Sequence, residues 1–445
     1  MLVLIGFLLT VLFGLFLSLL IVPKMHPWGR LGLAYILGLG ILTLFMFILL
    51  LLGINLTGEI ILAFFIISNL AMVLFLRKSL RLFLKEFKSS LSISKFSSIE
   101  KGIFICIVLL NIYALFASLY LPVRDWDALT LYDFRGKILA NPETQFDFME
   151  GKLHIYYYSY PLLVSLSHSL IYIFRGENPL FLSGLFYIAF TSMFYGTLRE
   201  VGTRGISLLA TLLLISNVLL IQHTIAAYAN LPYAVYFTMG TIYLYLWIIK
   251  GKKGYLFLSS ILIALSTWTR DQEVFWLANL IILAIYGLSS KQFIKPIVYA
   301  LVVIAVRSVW LNFKDSIFGP ILLTSNQLGK SMIVLLHNLD LERMREVAIF
   351  LYKAISPNYY PIIILFLTLI VFNYKNIYKL KNFYILLFIF LNFIFLFIGT
   401  YIYSFVFPDW IKIPGSVERI FMFFPALFIF YIALVINSFE KRWFS

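Results

Sequence analysis

The 445-residue chain is poor in charge and poorer still in acid: 12% of its residues are charged, with 20 Asp or Glu against 35 Lys or Arg. It has a single cysteine, Cys106, set in an apolar run. That excludes an intrachain disulfide and a cysteine-built metal site. No stretch is long and polar enough to form a separate soluble domain. What fills the chain is apolar: 62% hydrophobic residues, 18% aromatic residues and a mean hydropathy of +0.97. A soluble core does not require such a composition, whereas a polytopic helical membrane protein does. The net charge of +15 is spread over short loops between apolar runs, the positive-inside pattern, and does not point to nucleic acid as a partner. Leu2 to Val22 has neither a positive n-region nor an A-x-A cleavage site, so it reads as a retained first helix and not as a signal peptide.

The basic loops set the topology. Arg77 to Lys101 carries seven basic residues against two acids and marks the cytoplasmic side. Within it Leu80, Phe83, Leu84 and Phe87 predict an interfacial amphipathic helix over 80–87. Further basic loops lie at Lys250 to Lys253, Lys291 to Lys295, Lys375 to Lys381 and Lys441-Arg442. Alternation between them predicts an all-α polytopic membrane bundle of about 13 transmembrane helices. The run 161–174 contains Ser165, Ser167 and His168, and crossing parity makes it the one that does not cross. The expected organisation is a three-helix extension over 1–76, a basic cytoplasmic loop over 77–101, a main membrane domain over 102–437 and a cytoplasmic tail over 438–445. No internal repeat stands out, and the polar content gathers in loops predicted to be non-cytoplasmic, not at mid-membrane. That asymmetry predicts chemistry at one face of the cell membrane rather than transport through its middle.

Four clusters carry that polar content. The first is Arg124 to Lys137, where six of fourteen residues are charged. Asp125 and Asp127 flank Trp126 at the mouth of the bundle. Asp127 either caps a surface helix over 127–139 or serves as a carboxylate base or metal ligand. The second runs from His154 through Tyr160 and is rich in tyrosine: an aromatic belt, or a cleft that stacks sugars. The third is Thr269-Arg270-Asp271-Gln272-Glu273, a short charged turn or part of an ionic pocket. The fourth spans Asp409 to Arg419, where Glu418 and Arg419 open the last helix and Arg419 has the planar fork that suits phosphate. All four fall on one predicted face.

Trp126-Asp127-Ala128-Leu129, with Tyr132 and Arg135 behind it, resembles the first-outer-loop signature of the GT-C type integral-membrane glycosyltransferases, relatives of the protein mannosyltransferases and the aminoarabinose transferase. Tyr160-Pro161-Leu162-Leu163, Thr269-Arg270 with its acids, and Glu418-Arg419 with Pro425 resemble later elements of that family, in the same order over 102–437. Tyr132, Arg135 and Gly136 stand where the family has Trp, Lys and Ala, and helices 1 to 3 precede the usual start of its fold. The resemblance implies a GT-C-like bundle with juxtamembrane helices in the first large outer loop. It implies a polyprenyl-phosphate-linked sugar donor drawn from among the membrane lipids, and a lipid, glycan or protein acceptor on the non-cytoplasmic face. Asp127, then Asp125, is the expected base. Arg419 and Arg270 are expected to stabilise the leaving phosphate, with Tyr160, His154, Glu273, Asp271 and Glu418 lining the substrate site. Asp125 is the candidate ligand for a divalent cation, Mg or Mn. The competing readings are a polysaccharide ligase or polymerase, which would favour arginine and histidine over an Asp-x-Asp pair, a lipid or glycan flippase, and a structural scaffold.

Overall fold

The computed structural model describes residues 2–92, 96–153, 160–271, 274–318, 339–407, 409–412 and 414–443. Among them there is no strand. The long elements are α1 (Leu2–Ile21), α2 (Pro27–Leu51), α3 (Gly58–Ser90) and α4 (Ser98–Tyr120). Three short helices follow, α5 (Phe134–Ala140), α6 (Gln145–Met149) and α7 (Leu163–Ile173). The rest of the bundle is α8 (Phe181–Arg199), α9 (Arg204–Ile215), α10 (Val218–Gln222), α11 (Asn230–Lys250), α12 (Tyr255–Thr269), α13 (Trp276–Ser290), α14 (Ile294–Phe318), α15 (Leu341–Phe372), α16 (Leu380–Val406), α17 (Pro414–Phe421) and α18 (Pro425–Trp443).

The chain is therefore the expected all-α polytopic bundle. Among the described residues nine helices are long and apolar enough to cross a membrane, and the sharply bent α15 makes a tenth. The other three expected spans are α9, α12 and α13, of 12, 15 and 15 residues. They are short for a hydrocarbon core of roughly 30 Å, yet α12 runs from beside Lys252, which is paired with Glu200 at one end of the bundle, to Arg270, which lies over Tyr160 at the other. α9 stops because Asn217 starts a new helix, its side chain accepting from Leu219 N and Leu220 N. The 11-residue α7 is shorter still, about 16 Å long.

One expectation changes. Residues 80–87 do not lie down as a separate helix; they continue α3, a single element of 33 residues. Phe83 is buried there against Phe16 and Leu19 of α1, and Arg30 stacks over its ring. The expected loop over 77–101 is thus helical as far as Ser90.

α2 lies inside the bundle, where its glycines let other backbones approach. A Cβ on Gly38 would sit 2.1 Å from Thr10 O of α1, and one on Gly32 2.2 Å from Ala189 O of α8. Close approach through small residues is the usual way helices associate without a hydrophobic drive between them.

Ion pairs tie one end of the bundle together. Glu100 grips Arg204 through both carboxylate oxygens, at 2.9 and 3.0 Å. Glu200 accepts from Lys252 at 2.5 Å, from Tyr255 at 2.6 Å and from His26 N at 3.2 Å. A second set of charged contacts lies around the loop that follows α4.

Candidate active site

The chain leaves α4 at Leu121 and re-enters helix at Trp126, with Leu129 N bonded to Asp125 O at 2.9 Å. Asn178 pins this exit by donating to Leu119 O and Leu121 O. Residues 128–133 form a π-helical turn that runs into α5. Such turns widen the helix by one residue and recur at functional sites. Asp127 already has helical dihedrals and makes no capping hydrogen bond, so it is not the N-cap that the spacing allowed. Trp126 is largely exposed.

The Asp127 carboxylate meets Arg419 instead: Nη1 lies 3.4 Å from Oδ2, across 292 residues of sequence. The other contacts of the Arg419 guanidinium are also long, 3.2 Å to Gly415 O and 3.4 Å to Ser416 Oγ, and its plane lies over the Tyr228 ring, 5.4 Å from the centroid. The side chains of both members of the pair are partly exposed, 31% for Arg419 and 40% for Asp127. A screened pair of this kind adds about 0–1 kcal/mol, so Arg419 is available to a stronger anion.

The segment that supplies Tyr228 is packed directly on the first loop. Ala128, Leu180 and Ala227 form a small apolar cluster of their own, flanked by Leu121, Val123, Ile225 and Tyr228. Together with α17 they frame an open cavity of about 540 Å³, lined among others by Arg124, Asp125, His223, Tyr228, Glu418 and Arg419. Glu418 is held by the Asn358 amide.

His223 is the residue in this cavity that the sequence reading missed. It is 4% exposed and follows directly on α10. Burial, reinforced by the charges of Arg419 and Arg270, lowers its pKa to about 4. The only hint in the sequence is the polar triplet Gln222-His223-Thr224 between two apolar runs.

Arg270 sits deeper, 8% exposed, with its guanidinium 5.3 Å from the centre of the Tyr160 ring. Tyr160 O accepts from Arg135 at 3.0 Å, and its ring meets Tyr132 edge to face. Arg135 is fully buried, which lowers its pKa to about 10. Two residues before it, Asp133 is 3% exposed. Burial acts to raise its carboxyl, but hydrogen bonds from His168, Lys137 and Tyr172 outweigh that and hold it at about 2. These contacts fasten α5 to α7 and fix the floor of the loop that presents Asp127.

Asp271 contacts other charges. It is 5% exposed and pairs with buried Lys314 at 3.4 Å, while its carbonyl accepts from Arg307 at 3.0 Å. The structure thus joins Asp127 to Arg419 and Arg270 to Tyr160, and places Asp125 and Glu418 on the cavity wall. It directs Asp271 into a separate ion pair. His154 and Glu273 lie outside the described residues.

Asp125, the candidate ligand for a divalent cation, is among the described residues, whereas His154 and Glu273 are not. No three His, Cys, Asp or Glu side chains gather among the described residues. The cavity wall around Asp125 is instead crowded with the cations Arg124, Lys412 and Arg419. No step below uses a metal.

No family model, curated protein or solved structure matches this chain.

Proposed function

We propose that the chain is a membrane glycosyltransferase that moves a sugar from a polyprenyl-phosphate-linked donor to an acceptor on the non-cytoplasmic face. The observation that carries this reading is the Asp127–Arg419 pair beside the open cavity. A carboxylate and a weakly engaged guanidinium next to a cavity of 540 Å³ are the two groups that this transfer needs. Asp127 takes the proton of the acceptor hydroxyl as its oxygen bonds to the sugar's anomeric carbon. The bond from that carbon to the phosphate oxygen breaks, and the lipid phosphate leaves with its charge facing Arg419. The basic loops support the non-cytoplasmic side for Asp127. The cavity opens at one end of the bundle, which supports a transferase over a flippase.

A second reading, a ligase or polymerase acting on lipid-linked glycan, is favoured by one observation: His223 shares the cavity with Arg419. Purified protein incubated with a panel of polyprenyl-phosphate sugars and polyprenyl-diphosphate glycans tests both. Release of polyprenyl phosphate supports the transferase, and release of the diphosphate supports the ligase. No turnover with any member of the panel overturns both readings.

A further inference from the structure

Resting on the transferase reading, we propose that His223 is a specificity residue whose free ring nitrogen accepts a hydrogen bond from a sugar hydroxyl of the donor, so that the site prefers a glycosylated phosphate over the bare lipid phosphate. The argument begins with the tautomer. Nδ1 lies 2.8 Å from Leu219 O. A carbonyl oxygen can only accept, so Nδ1 carries the proton and Nε2 is left with a lone pair. Leu219 O is well placed to impose this, because Asn217 caps α10 through Leu219 N and Leu220 N and so fixes that turn.

Among the described residues Nε2 has no hydrogen-bond partner, and the residue is 4% exposed and borders the cavity. An unsatisfied buried acceptor is destabilising, and a ligand donor would remove that cost. The ring also stands edge to face against Tyr228, 6.0 Å between centroids, and the same Tyr228 carries Arg419 on its face. One aromatic side chain thus holds a cation that attracts phosphate next to a lone pair that repels phosphate oxygens and attracts O–H.

The lone pair is secured against protonation by burial and by Arg419 and Arg270. The ligand that satisfies both groups at once is a phosphoester with a hydroxyl close to the phosphorus. Glycosyl phosphates have that arrangement, and a bare polyprenyl phosphate lacks it.

The test is binding of two lipids, polyprenyl phosphate and a polyprenyl-phosphate hexose, to wild type, His223→Leu and His223→Gln in detergent. His223→Leu keeps the volume and removes the acceptor. It is expected to lose roughly tenfold in affinity for the glycosylated lipid, the scale of one hydrogen bond left unmade, while its affinity for polyprenyl phosphate stays unchanged. His223→Gln restores an acceptor oxygen and is expected to recover part of the preference. Equal losses for both lipids would make His223 structural and overturn the inference, as would an unchanged preference in His223→Leu. Either outcome leaves the transferase reading intact if wild type turns over. Failure of wild type to bind either lipid overturns the inference together with the function on which it rests.

Discussion

Replacing Asp127 by Asn should separate binding from chemistry. Asp127 Oδ2 stands 3.4 Å from Arg419 Nη1, and both side chains are partly in solvent. Breaking this pair should therefore cost the fold no more than ~1 kcal/mol, well inside what a bundle of this size tolerates. The carboxylate also competes with any anion for the same guanidinium. A unit charge about 4 Å away in a water-like medium is worth ~1 kcal/mol, so removing it should tighten binding of polyprenyl phosphate about fivefold. Turnover should move the other way, falling by ~10²–10⁴-fold, because the acceptor hydroxyl loses its base. Calorimetric titration with polyprenyl phosphate reads the first quantity, and sugar transfer by the same preparation reads the second. Weaker phosphate binding in Asp127→Asn would mean that the carboxylate's task is to hold Arg419 in place. Unchanged turnover would remove Asp127 from the chemistry and bring Asp125 forward.

Three further outcomes are expected. Arg419→Lys should weaken phosphate binding by ~1.5–3 kcal/mol, since an ammonium cannot reproduce the guanidinium's fork; unaltered affinity in the same titration would shift the role to Arg270. Lys314→Met should lower unfolding stability in detergent by ~3–5 kcal/mol by leaving Asp271 buried without its ammonium, and Asp271→Leu in the same chain should restore much of it; a neutral single variant would show that the pair is not ionic. Stability should also fall in acid. His223 and His26 both have folded pKa values of about 4 against an ordinary 6.5, so the unfolded chain binds their protons first. Stability is complete above pH 6.5 and declines as the pH drops toward 4, on the order of 3 kcal/mol for each group at the lower limit. His26 keeps part of the acid limb in His223→Gln, so a limb that this variant leaves undiminished would count against the burial of the His223 imidazole as a neutral group.

Charge in an apolar chain is conspicuous, which is why Asp127 and Arg419 could be picked out 292 residues apart before any contact between them was known. The same contrast hid other residues. Lys314 belongs to a stretch with several charges, and nothing in its spacing says that it turns inward to Asp271. His223 carries no charge near neutrality and lies between apolar runs, so only its place against Tyr228 and Leu219 O gives it a chemical task. Periodicity has a related limit. Leu80, Phe83, Leu84 and Phe87 lie on one face whether their helix is flat on the membrane or continues α3 upright, because spacing records a face and not a direction.

Hydropathy has a limit of its own. α2, α3 and α4 are all apolar enough to span, yet α2 is mostly buried among other helices while α3 and α4 expose most of their surface. Lipid and protein interior are about equally apolar, so apolar content cannot distinguish them. Glycine can. α2 contains Gly29, Gly32, Gly38 and Gly40, whereas α3 and α4 have one each, near their starts. Those four glycines do not face one partner. Gly29 lies against Gly196 and Gly32 against Ala189 of α8, Gly38 against Thr10 of α1, and Gly40 against Leu265 of α12 and Tyr236 of α11. A helix with small residues on several sides can be approached from several sides, and that places α2 at the centre of the bundle. Even a Cβ at Gly38 would stand only 2.1 Å from Thr10 O, so a bulky residue there would have to push α1 away. Residues 1–51 are therefore part of the frame that holds the site, although neither their charge nor their hydropathy announces it.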